Sequence, residues 1–159
     1  MSYSHFTLQE VQVIPPHGLQ LHYADGQILT LDLRQVIRRH PSLAALQDPA
    51  VFATARLGDW GGSVIWNQDD ALELAADNLR ARAIEQAGEA SHEFIIEWMD
   101  RHHLTLDQAA QALGLSRRML AYYRSGARPV PRHVALACVG FSAQAAAPAS
   151  FGVAFASAL

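Results

Sequence analysis

Apolar and polar residues alternate through the first part of the chain. Val11 and Val13 alternate with polar neighbours up to Pro15 and Pro16, where a strand must stop because proline donates no ladder hydrogen bond. Leu19, Leu21 and Tyr23 alternate with Gln20 and His22. After Asp25-Gly26, Leu29, Leu31 and Leu33 alternate with Thr30 and Asp32. Two such runs about an Asp-Gly turn predict a β-hairpin. A short helix over 34–39 ends before Pro41, and Asp48 followed by Pro49 reads as an N-cap and first helical residue of a turn or two reaching Ala53. Residues 54–57 and 63–66 read as strands on either side of Asp59-Trp60-Gly61-Gly62, whose glycines allow a tight bend. Trp60 and Trp66 are expected in the core. Leu72 and Leu74 predict a short edge strand, and Asp69, Asp70 and Glu73 read as a solvated loop rather than as acid–base or cation chemistry.

The period changes at Ala75. Ala76, Leu79, Ala83 and Ala87 share one helical face, and Gly88 is a natural stop. The small, polar stretch 86–91 marks a boundary. Phe94, Ile95, Trp98 and Met99 then form an amphipathic stripe. Thr105 and Gln108 have capping-box spacing. Leu106, Ala109, Ala110 and Leu113 follow at helical spacing, and Gly114 closes that helix. Ser116 caps the next, with Leu120 and Tyr123 inward and Gly126 at its end. A last helix after Pro129 and Pro131 turns Val134, Ala137 and Cys138 inward, and an uncharged, Ala-rich tail follows from Phe141.

Charge sharpens this picture. Net charge is only −3, yet all 15 acidic residues lie between Glu10 and Asp107. Beyond Asp107 stand five of the 12 basic residues and no acid, and every basic residue in the chain is arginine. Such a split predicts an acidic body and a basic end that meets an anion such as DNA. The single cysteine, Cys138, excludes an intrachain disulfide and a multi-cysteine zinc site. No apolar run is long enough for a transmembrane helix, and the first residues lack the features of a signal peptide, so a cytoplasmic protein without a membrane partner is expected. His102 and His103 are adjacent, so they face different directions on a helix and make a poor metal pair. No phosphate loop, dinucleotide fingerprint or nucleophile elbow is present, so no cofactor and no enzymatic activity are expected.

The two short helices joined by three residues have the pattern of a helix-turn-helix. Outward on the second stand Arg117, Arg118, Ala121 and Tyr122. Two arginines in a first turn suit the major groove, where guanidinium bonds guanine in bidentate fashion. Ser116, Arg117, Arg118, Ala121, Tyr122, Arg124, Arg128 and Arg132 are the candidate DNA-binding residues, the last three as phosphate contacts. The stretch LTLDQAAQALGLSRRMLAYYRSGARPVP, with its Ala-x-x-x-Gly-Leu-Ser core and closing Gly126, resembles the Cro/C1-type (XRE-like, lambda-repressor-like) DNA-binding domains. That resemblance implies a bundle of four or five helices with 117–125 as recognition helix. Relatives of that type often carry an acid where Arg124 stands. The first part more loosely resembles a small bacterial domain of unknown function found in toxin–antitoxin-like gene pairs.

The expectation is therefore an α+β chain with a small acidic α+β domain over 1–90, an all-α helix-turn-helix domain over 91–140 and a tail over 141–159. It would be a bacterial transcriptional regulator, in one version antitoxin-like. It would bind double-stranded DNA as a homodimer, with the first domain free to take a ligand or protein partner. The alternative is a protein-interaction adaptor that uses the same helices without touching DNA.

Overall fold

The computed structural model describes residues 3–67 and 69–147. The chain is α+β, with two small antiparallel sheets and several helices. It divides into two compact units, Met1–Gly88 and Glu89–Leu159.

In the first unit, β1 (Leu8–Ile14), β2 (Gly18–Tyr23) and β3 (Ile28–Asp32) make a three-stranded sheet in that order. The single hairpin read from the alternation is thus a three-stranded meander. Pro15 and Pro16 do end a strand, but they lie in the turn that folds β2 back on β1, pairing Val13 with Leu19 and Val11 with Leu21. Across the Asp25-Gly26 turn, Leu19 pairs with Leu31 and Leu21 with Leu29. Leu19, Leu21, Tyr23, Leu31 and Leu33 are buried. Each such leucine contributes about 1.5–3 kcal/mol by leaving water.

Helix α1 (Arg34–Arg39) leads through a 3₁₀ segment, Pro41–Gln47, to α2 (Pro49–Phe52), which Asp48 caps by accepting from the Ala50 N–H at 2.9 Å. A second sheet follows, with β4 (Arg56–Leu57), β5 (Ser63–Trp66) and β6 (Asp69–Ala75) in sequence order. Asp69 and Asp70 therefore belong to a strand, not a loop, because β6 starts earlier than its leucines suggest. Helix α3 (Ala76–Gln86) closes the unit. Tyr23 Oη donates to the Ala76 carbonyl at 2.7 Å, and Arg80 donates to Asp25 at 2.8 Å and to the His5 carbonyl at 2.7 Å. Burial raises the Tyr23 hydroxyl's pKa well above its ordinary range, so the phenol stays neutral. Ala76, Leu79 and Ala83 face inward, whereas Ala87 is exposed where the helix ends.

The two tryptophans expected in this core part company. Trp66 is fully buried; its indole N–H donates to the Phe52 carbonyl at 3.0 Å. Trp60 is 95% exposed and has a left-handed backbone, φ 59°. The cause lies next door. Gly61, also left-handed, sits so close to β1 that a Cβ there would fall on the Leu8 carbonyl oxygen. The turn must press its backbone against β1, and residue 60 is left outside.

The second unit holds α4 (His92–Arg101), α5 (Leu106–Leu113), α6 (Arg117–Ser125) and α7 (Arg132–Ala146). Ile95, Trp98, Met99, Ala109, Ala110, Leu120, Tyr123, Val134 and Cys138 form its core. Ala137 is exposed. The inward positions of α7 are Val134, Cys138 and half-buried Phe141, spaced four and three apart as one helical face requires. The expected tail thus begins inside a helix: Phe141 meets the rings of Trp98 at 5.4 Å and His102 at 5.1 Å. The rest of that tail, from residue 148, lies outside the described residues.

Candidate nucleic-acid interface

Local signals set the geometry of α5 and α6. Thr105 Oγ1 accepts from the Gln108 N–H at 3.2 Å while Gln108 Oε1 accepts from the Thr105 N–H at 2.9 Å, so two orphan donors of α5 are satisfied reciprocally. At the other end Gly114 adopts φ 68°. Its N–H donates to the Gln111 carbonyl at 3.2 Å, and the Leu115 N–H reaches back to Ala110 at 2.9 Å. This pair of bonds is a Schellman motif, which needs a left-handed residue where Gly114 stands. Three residues after α5 ends, α6 begins. Ser116 Oγ accepts from the Met119 N–H at 3.1 Å. Ser116 is therefore a helix cap first, with its hydroxyl proton left to donate elsewhere.

Arg117 and Arg118 occupy the first two positions of α6, and Arg132 the first of α7. A cation there opposes the helix dipole and costs about 0.3–1 kcal/mol each. No acid stands in either first turn to compensate. Helix stability does not explain these arginines, whereas a phosphate brought to the same helix ends would.

The predicted residues are partly gathered. Arg118 Nε donates to Tyr122 Oη at 2.8 Å, with its guanidinium 5.6 Å from the ring centre. Arg128 lies over the same ring at 4.7 Å and directs Nη1 toward Met119 Sδ at 3.9 Å. Half-buried Tyr122 thus holds two guanidinium groups, Arg118 through its hydroxyl and Arg128 over its ring, without neutralising either. Arg117 Nη1 is 3.3 Å from Asp107 Oδ2, an exposed ion pair across the turn. Asp107 is a partner the sequence did not reveal, since it lies ten residues away on another helix. Ala121 is half-buried beside the cluster in sequence. Arg124, at the end of α6, and Arg132 are exposed and have no hydrogen-bond partner among the described residues.

His102 is engaged inside the unit, its Nε2 2.7 Å from Ser142 Oγ, while His103 ends α4 in a left-handed conformation, φ 53°. No cluster of three or more metal-ligating side chains occurs among the described residues, and no described helix is long and apolar enough to cross a membrane. Cys138 is buried, and burial pushes its thiol up to about 12.

The segment that holds the two sheets matches a known family. Residues 8–85 match the family model described as Protein of unknown function (DUF2442), so that segment is a domain of this family. Over nearly its whole length the chain is also similar to a solved protein, the crystal structure of Putative DNA Binding Protein NE0471 from Nitrosomonas europaea ATCC 19718. Identity is 39%, the match covers 93% of this chain and 94% of that one, and the TM-score is 0.80. No curated protein matches the chain. The expected membership of the Cro/C1-type family is overturned. The matching family model lies on the sheet-first part of the chain, and no model of the Cro/C1 type matches the helices. The Ala-x-x-x-Gly-Leu-Ser spacing reflects what a close helix crossing and a left-handed turn require, and those needs are not particular to one family.

Proposed function

We propose that this chain is a non-enzymatic protein that binds double-stranded DNA and acts as a transcriptional regulator in the bacterial cytoplasm, using α5 and α6 as a helix-turn-helix with α6 laid in the major groove. The observation that carries this reading is the arginine set on and beside α6. Arg117 and Arg118 stand at a helix N-terminus against the dipole, and Arg118 and Arg128 are held ready on Tyr122. One of the first-turn arginines reads a base edge while its neighbour and Arg124, Arg128 and Arg132 meet phosphates. The DNA-binding description of the 39%-identical protein supports the same reading. A single recognition helix covers few base pairs, so the regulator works as a homodimer on two half-sites. Leu136 and Val139, both more than half exposed and three residues apart on α7, offer an apolar face for that contact.

The test is a duplex-pool selection followed by titration of the Arg117→Ala/Arg118→Ala variant at several salt concentrations. Loss of the base-reading arginine costs about 1–3 kcal/mol at the selected site, and loss of the phosphate contact flattens the salt slope by about one unit. A folded double variant with unchanged affinity, specificity and slope refutes the reading and leaves the helix pair as a protein-interaction surface.

A further inference from the structure

The first unit carries ten acidic residues and six arginines, yet four of those arginines line one cavity of about 810 Å³. Arg34, Arg38 and Arg39 come from α1 and Arg82 from α3. Asp32 and Glu85 are the acids that line it, so the lining carries an excess of two positive charges inside an acidic unit.

Ordinary structural roles account for part of this set only. Arg38 and Arg39 lie in the last turn of α1, where cations suit the helix dipole. That argument fails for Arg34, the first residue of the same helix, and for Arg82 on another. Arg34 is answered by Asp32, with contacts of 2.6 and 2.9 Å to one carboxylate oxygen. Hydrogen bonds from the Arg34 side chain and N–H hold the Asp32 carboxyl below its ordinary range. Arg82 uses Nε on Asn78 Oδ1 at 2.6 Å, and no bond of its two terminal nitrogens appears among the described residues. Arg38 and Arg39 are exposed and have no hydrogen bond or ion pair among the described residues. The wall between the helices is fixed: Gln86 Oε1 accepts from the Asp32 N–H at 2.7 Å and its Nε2 donates to the Asp32 carbonyl at 3.1 Å.

We infer that this cavity is a binding site for a small phosphate-bearing anion, a phosphomonoester or a diphosphate, held by Arg38, Arg39 and Arg82. Guanidinium groups match phosphate oxygens in bidentate geometry. The volume falls in the range of small-molecule sites. A phosphomonoester's charge of about −2 cancels the surplus that the lining carries. A duplex is a rod too wide to enter a cavity of this size, which favours a small molecule over nucleic acid.

The test is calorimetric titration of the full chain with inorganic pyrophosphate, and with adenosine monophosphate as the phosphomonoester, at low ionic strength. At least one of the two binds saturably at one site per chain. Arg38→Gln/Arg39→Gln weakens that binding about tenfold or more, as expected when charge-assisted bonds are lost. Both residues are exposed and make no structural hydrogen bond, and circular dichroism confirms that the variant folds. Arg117→Gln/Arg118→Gln leaves the binding intact, which separates this site from the DNA reading. Failure of both probes to bind, binding unchanged in the α1 variant, or binding lost in the α6 variant each overturns the inference. So does an α1 variant that loses duplex affinity while neither small anion binds.

Discussion

Asp107→Asn should strengthen DNA binding while weakening the fold. Asp107 stands in the first turn of α5, where its charge complements the helix dipole, and its carboxylate holds Arg117 at 3.3 Å across the turn. Both side chains are about two-thirds exposed, so the ion pair contributes at most about 1 kcal/mol. The dipole interaction adds about 0.3–1 kcal/mol. Their combined loss lowers the stability of the second unit by about 0.5–1.5 kcal/mol. Binding moves the other way. Arg117 no longer has to leave a carboxylate to reach a phosphate. A negative charge also disappears from the approach surface, and at about 7 Å in water its repulsion of one phosphate is about 0.6 kcal/mol. Together these release about 1 kcal/mol, or about fivefold in affinity. A steeper salt slope, by about 0.9 for each further phosphate neutralised, is the independent signature. Fluorescence anisotropy of a labelled duplex at several salt concentrations, beside thermal melting of the variant, measures both effects. A folded Asp107→Asn protein with unchanged or weaker duplex binding refutes the placement of Arg117 at the DNA.

Three further outcomes test other parts of the structure. Gly61→Ala and Gly114→Ala both force alanine into a left-handed backbone, at about 1–2 kcal/mol; only at Gly61 does the new Cβ meet a carbonyl oxygen, so urea melts should show it costing about 3 kcal/mol or more and Gly114→Ala clearly less. Cys138, buried and with its thiol pushed up to about 12, should react with a thiol reagent far more slowly in the native protein than in denaturant; equal rates would contradict its place in the core. Burial alone would raise the Asp25 carboxyl, but hydrogen bonds from Arg80 and the Gln27 N–H, with the Arg80 charge, bring it below its ordinary 3.8. The folded state therefore binds this proton more weakly than the unfolded chain, so Asp25 stabilises fully above that ordinary value and loses its contribution as pH falls through the lowered one; Asp25→Asn should flatten the acid limb of a stability–pH curve.

What could be read from the sequence was local. The capping box at Thr105 and Gln108, the Asp48 cap, the glycine stops at 114 and 126, and the inward faces of α4 and α6 all depend on residues within one or two turns. What escaped depended on distant neighbours. Nothing near Trp60 says that the next residue must press against the backbone of Leu8. Nothing near Arg117 shows that Asp107 lies beside it, and the convergence of Arg118 and Arg128 on Tyr122 needs the turn after Gly126 to be known. The arginine-lined cavity escaped for the same reason, since Arg82 lies more than forty residues from the arginines of α1. The family resemblance failed because it rested on a turn that close helix packing can produce in many settings.

Both sheets of the first unit join strands in the order of the chain, every neighbour antiparallel, with no crossover. Each pairing therefore closes only a short loop, and the entropy lost in doing so grows slowly with length. Helix α3 is different. Its bonds to the first sheet, Tyr23 to Ala76, Asp32 to Gln86 and Arg80 to Asp25, tie together positions that lie 53 to 55 residues apart. Folding kinetics should reflect this division: two meanders form by local contacts, and the docking of α3 closes the large loop between them. Contacts of that span slow a domain most. A nascent chain stalled before Ala76 would expose the apolar faces of both sheets together, and emergence of α3 from the ribosome would be the event that covers them.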